Sequence, residues 1–155
     1  MEPLTEHPWM PDYPLDRTAP PLPWSWALAR VRGNQHWWLA TASPDGRPNV
    51  HVVWAVWFED AVWFSSGPTS RKVRNLEADP RATITTGDPA EPVVLQCTAT
   101  RETATPAFVA AYEAVYGPSP GLEFFLANAC FRLVPEVAFG LIEEEFLTSP
   151  TRWTF

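Results

Sequence analysis

The stretch Ser65-Ser66-Gly67-Pro68-Thr69-Ser70-Arg71-Lys72-Val73-Arg74-Asn75-Leu76 holds the densest chemistry in the chain. Hydroxyl residues end an apolar run, a Gly-Pro turn follows, and Ser70 stands where a helix would be capped. Arg71 and Lys72 then fall in the first helical turn. Positive side chains there oppose the helix macrodipole and cost roughly 0.3–1 kcal/mol. A bound anion reverses the sign, because free N–H groups, serine hydroxyls and two cations then face one phosphate. A solvated charged turn is the plainer alternative, and the local pattern leaves both open. Lys72 is the only lysine in a chain with 18 acidic and 11 basic residues, a net charge of −7. A basic cluster on an acidic protein suits a small anionic ligand and speaks against nucleic acid as a partner.

The other reactive side chains point less sharply. His51 lies mid-strand and reads as a hydrogen-bonded structural histidine; His7 and His36 read as surface residues. Glu143-Glu144-Glu145 has no histidine near it, so no metal site is assigned. Cys97 and Cys130 match no metal or redox spacing and suggest reduced thiols in a cytoplasmic protein. No nucleophile–base pair is visible, and no catalytic side chain is assigned. The nine tryptophans and nine phenylalanines read first as core and interface area, and second as surfaces on which a ring could stack.

These residues need elements to position them. Residues 1–23, rich in proline, read as an extended arm lying over the body or over a partner subunit, and 24–155 as one domain. Trp24 to Arg32 fits a short helix. His36 to Ala42, Arg47 to Phe58 and Ala61 to Ser66 form a three-strand meander, with turns at Ser43-Pro44-Asp45-Gly46 and Glu59-Asp60. Ser70 to Ala78 is a helix stopped by Asp79-Pro80. Arg81 to Thr86 and Pro92 to Glu102 are further strands. Thr105-Pro106 opens a helix that ends near Gly117, and Leu122 to Ala127 adds a helical turn. Cys130 to Val134 and Val137 to Ile142 are expected to form a last hairpin across Pro135-Glu136. Trp37, Val52, Trp54, Val56, Phe64, Ile84 and Leu95 are expected to be buried, in a barrel or a dimer interface. The sum is a mainly β fold, a Greek-key-like, six-stranded antiparallel barrel with short helices. No apolar run approaches the ~20 residues that span a bilayer, and the first residues lack the basic and apolar regions of a secretion signal.

The runs Trp38-Leu39-Ala40-Thr41-Ala42, Asp45-Gly46-Arg47-Pro48, Val52 to Phe58, Phe64-Ser65-Ser66, Ser70-Arg71-Lys72, Asn75-Leu76 and Asp79-Pro80-Arg81 resemble the pyridoxamine 5′-phosphate oxidase-like flavin proteins. These are FMN-binding split barrels and include deazaflavin F420-dependent reductases. The resemblance covers about Trp37 to Thr86, and Thr151-Arg152-Trp153 is similar to one subgroup's ending. It implies that Ser70, Arg71 and Lys72 hold the flavin phosphate, and that Ser65 and Ser66 meet the ribityl chain. It further implies that the strand containing His51, Val52, Val53 and Trp54 lies against the ring, and that Arg152 and Trp153 touch flavin from the partner subunit. A homodimer with flavin at its interface, acting on a small organic substrate, follows from the same likeness. The flavin ring then carries the hydride while the protein supplies orientation and electrostatics. The His and Arg pattern with which the true oxidase holds a pyridoxal substrate is absent, so a more general FMN-dependent oxidoreductase fits better. An F420-dependent reductase, or a non-catalytic flavin or haem carrier, are the alternatives.

Overall fold

The computed structural model describes residues 2–155; Met1, the first residue of the expected arm, lies outside them. The strands are β1 (Leu4–Glu6), β2 (Trp37–Ala42), β3 (Pro48–Val53), β4 (Ala55–Phe58), β5 (Ala61–Ser66), β6 (Arg81–Thr86), β7 (Val93–Glu102), β8 (Ala129–Gly140) and β9 (Thr151–Thr154). The helices are α1 (Trp24–Val31), α2 (Arg71–Ala78), α3 (Pro106–Tyr116) and α4 (Leu122–Leu126). Every strand pairing is antiparallel. The main path runs β1-β9-β8-β7-β6-β2-β3, with β5 joining β8 to β4. The sheet does not close, and the mainly β architecture is that of a split barrel.

The termini of α3 follow from its sequence. Thr105 Oγ1 accepts from the Phe108 amide at 3.2 Å, Pro106 takes the first helical position, and Gly117 ends the helix at φ +83°. Two other expectations are corrected. The hairpin across Pro135-Glu136 does not exist: β8 is one continuous strand, and Glu136 is the extra residue of a bulge opposite Gln96 and Cys97. Proline fits there because β5 covers β8 only at 129–133 and β9 only at 137–140. On that edge no ladder bond is lost at Pro135.

The second correction concerns the long strand, which breaks at Trp54 into β3 and β4. The period of two holds, but its faces are reversed. Val53 and Ala55 point into the main core, whereas Val52 and Trp54 are 50% and 62% exposed. Val56, on the same outer face, is buried only because α3 and α4 cover that end with a second core of Trp63, Phe108 and Phe125. Trp37, Val56, Phe64, Ile84 and Leu95 are buried as expected.

The described part of the arm lies along the body of its own chain. Leu4–Glu6 pairs with Thr151–Thr154, the Asp16 amide donates to the Leu147 carbonyl at 2.8 Å, and the Leu22 amide donates to Thr151 Oγ1 at 2.8 Å. His7 is half-buried, with both ring nitrogens 2.8 Å from carbonyl oxygens, those of Pro150 and Ala19. A neutral ring has one N–H for these two acceptors. Among the described residues no helix is long and apolar enough to cross a membrane.

Candidate functional site

β5 ends in Ser65 and Ser66, and the chain turns through Gly67, whose carbonyl accepts from the Ser70 amide at 3.0 Å. Ser70 takes the N-cap position of α2, but its hydroxyl faces the Ser66 hydroxyl at 3.2 Å and caps nothing in the helix. The first-turn N–H groups of α2 are left without a side-chain acceptor, and Arg71 and Lys72 follow directly. Val73 and Leu76 anchor the helix in the main core. Asn75, also buried, donates through Nδ2 to Thr41 Oγ1 at 3.0 Å and to Asn49 Oδ1 at 2.9 Å. Ser43 Oγ donates to the same Asn49 oxygen at 2.8 Å. This polar network locks the middle of α2 against β2 and β3, and so sets where Lys72 can reach.

A cleft of about 280 Å³ opens at the seam between the two cores. One wall is Val52, Val53 and Trp54; the polar end is Ser65, Ser66, Gly67 and Lys72; the opposite wall is Tyr112, Phe124, Phe125 and Asn128. The cleft lies near the lower end of the usual small-molecule range of about 300–1,000 Å³. Ser65 Oγ is buried beside it without a hydrogen-bond partner, and so is His51 Nδ1 nearby. Buried polar atoms are nearly always paired, so an orphaned hydroxyl at the polar end of a cleft is a place for a ligand's acceptor. Burial, then the charges of Lys72 and Arg71, hold the His51 imidazole below its ordinary pKa. The same cations would stabilise an anion. Burial raises the Tyr112 phenol, which keeps its O–H at neutral pH.

The structure therefore brings together Val52, Val53, Trp54, Ser65, Ser66 and Lys72, with Ser70 adjoining and His51 within the field of Lys72. Arg71 opens instead onto a shallow hollow of about 580 Å³ shared with Ser43, Asp45, Arg47 and Asn49. Arg152 and Trp153 lie elsewhere. Arg152 pairs with Glu6 at 2.9 Å. Trp153 is fully buried in its own core and donates to the Leu22 carbonyl at 3.1 Å, so its ring offers no free face to a cofactor. Sequence reasoning did not include Tyr112, Phe124, Phe125 and Asn128 in the site. The usable signal was Phe124-Phe125, an aromatic pair in a helix of five residues that buries only the second ring.

Residues 27–125 match the sequence model of the family described as pyridoxamine 5′-phosphate oxidase. No curated protein matches the chain. Several solved structures share the fold. One titled an F420 reductase has a TM-score of 0.62 at 22% identity, over 76% of this chain and 98% of its own. HutZ, the haem storage protein of Vibrio cholerae, gives 0.62 at 23% identity, over 78% and 94%. A pyridoxamine 5′-phosphate oxidase-related, FMN-binding protein from Nostoc punctiforme gives 0.61 at 20% identity, over 79% and 85%. These likenesses establish the fold, and the family match extends over more than half of the chain, including every residue of the cleft's polar end. The chain belongs to the pyridoxamine 5′-phosphate oxidase family.

Proposed function

We propose that this chain is a cytoplasmic FMN-dependent oxidoreductase acting on a small organic substrate. One observation carries the reading: the only lysine opens α2 beside three serines, at the polar end of a cleft whose other walls are aromatic and apolar. A phosphate at the start of α2 takes a charge from Lys72, hydroxyl donors from Ser66 and Ser70, and the N–H groups the helix leaves uncapped. Ser65 gives its orphaned hydroxyl to the polar chain that follows. The ring then lies along His51, Val52, Val53 and Trp54. Bound FMN supplies hydride and electron transfer. The chain's own residues bind, orient and exclude water, with Tyr112 and Asn128 as the hydrogen-bonding groups on the substrate side.

The active form is a homodimer. Trp38, Val50, Val52 and Trp54 stand 47–62% exposed on the outer face of β2 and β3, where Trp38 and Val52 are direct cross-strand neighbours. An apolar face continuous with the cleft suits a second copy of the chain.

A second reading, F420 in place of FMN, is favoured by the hollow that holds Arg47 and Arg71. Neither guanidinium has an ion-pair partner among the described residues, and the hollow takes Arg71, the sequence neighbour of Lys72, as one of its walls, where a longer anionic tail would run. Titrating the purified chain with FMN, F420 and haem, followed by absorbance, separates the readings. Tight FMN binding with a perturbed flavin band is expected. Binding of haem alone, or of nothing, overturns the oxidoreductase assignment, and preference for F420 selects the second reading. Light scattering that shows a monomer at micromolar concentration rules out the dimer.

A further inference from the structure

A second cavity, of about 460 Å³, shares no lining residue with the cleft. It lies between α1, the β4–β5 turn and the bulge of β8. Three rings line it: Trp24, Trp57 and Phe155, with Trp24 meeting Trp57 at 6.2 Å and Phe155 at 4.8 Å in edge-on contacts. Val134 and Pro135 add aliphatic wall. The volume falls within the range of small-molecule sites.

Its charges come from two irregular pieces of backbone. The turn Glu59–Asp60 has φ of +49° and +53°, values that glycine, asparagine and aspartate tolerate in a tight hairpin and that cost glutamate more. The bulge makes Glu136 the extra residue of β8. The turn places two acidic residues on the wall of this cavity and the bulge a third, Glu136, whose carboxylate also accepts from Thr98 Oγ1. Against these three carboxylates stands one guanidinium, Arg132, which donates to the Glu59 carbonyl at 3.4 Å and so helps hold the turn. The field inside is negative and the walls are aromatic. That combination recognises an organic cation, through the half-buried ring of Trp57 and the carboxylates together.

We propose that this cavity binds a small organic ammonium ion carrying an apolar or aromatic group. The proposal does not depend on the cofactor reading. It is tested by calorimetric titration of the full chain with 2-phenylethylammonium, the neutral 2-phenylethanol and the anionic 3-phenylpropionate. The ammonium ion is expected to bind at least about tenfold more tightly than either analogue. Glu59→Gly and Asp60→Gly are the informative variants, because each removes a carboxylate while relieving the backbone. Both should melt at or above the parent temperature and bind the ammonium ion several-fold more weakly. Trp57→Leu should weaken it as well. Equal or tighter binding of the anion, no binding of any probe, or unchanged ammonium affinity in both glycine variants overturns the proposal.

Discussion

Lys72 and Arg71 are consecutive, yet they open onto different hollows. Successive residues of a helix differ by about 100° in direction, so the two cations cannot serve one small anion equally. Lys72→Ala is expected to cost about 1.5–3 kcal/mol of FMN binding through a lost charge-assisted hydrogen bond, roughly a ten- to hundredfold weaker Kd. Arg71→Ala should cost less with FMN and more with F420; equal losses with FMN would contradict the divergence. His51 reports on the same field. Burial, Lys72 and Arg71 together lower its pKa, so the folded state disfavours the charged ring. Its share of stability is therefore fully present above the ordinary histidine range and is lost as the pH falls below it. An NMR titration should place the His51 midpoint below that of a model peptide, and should move it upward when phosphate or FMN binds. A midpoint at or above the peptide value would mean that neither burial nor the cations act on the ring as the structure has them.

At the scale of elements, α2 is held by Asn75 as much as by its apolar face. Asn75→Ala leaves Thr41 Oγ1 without its donor and Asn49 Oδ1 with Ser43 alone and is expected to cost about 1–3 kcal/mol in urea unfolding. The same variant should weaken FMN binding, because Lys72 loses its fixed platform. Loss of stability with unchanged affinity would separate the network from the site. These elements were unevenly legible in the sequence. Ser65, Ser66, Ser70 and Lys72 could be read because hydroxyls, a Gly-Pro turn and a helix start are local signals. Tyr112, Phe124, Phe125 and Asn128 could not, since they reach the cleft only when α3 docks on β4 and α4 on β8, long-range events without a local pattern. The alternation along 47–58 was visible, but not its inner face: both faces are apolar at one end because each meets a core there. Pro135 read as a turn because the gap in pairing beside it, between β5 and β9, is set by residues far away in the chain.

For the molecule as a whole, the two cysteines measure how tightly the barrel is closed to solvent. Burial, then the Glu136 charge, pushes the Cys97 thiol up to about 12, and burial followed by Glu102 pushes Cys130 up to about 11. The reactive thiolate is therefore scarce at neutral pH, and both side chains are buried. Native protein should react with a thiol reagent far more slowly than protein in guanidinium chloride, with two thiols released on unfolding. Rapid labelling of either cysteine at pH 7 would mean that the sheet opens near β7 or β8.

The pairing of β1 with β9 also imposes an order in time. Leu4 lies beside Thr154, so one strand of this ladder is synthesised long before the other. At about 5–20 residues per second, the intervening chain takes roughly 8–30 s to emerge from a ribosome. Through that interval Leu4–Glu6 has no strand to join, and His7 lacks Pro150, one of its two carbonyl partners. The arm is thus made long before the strand it joins and settles only after it, and a nascent chain arrested before Thr151 carries it undocked, open to proteases and chaperones.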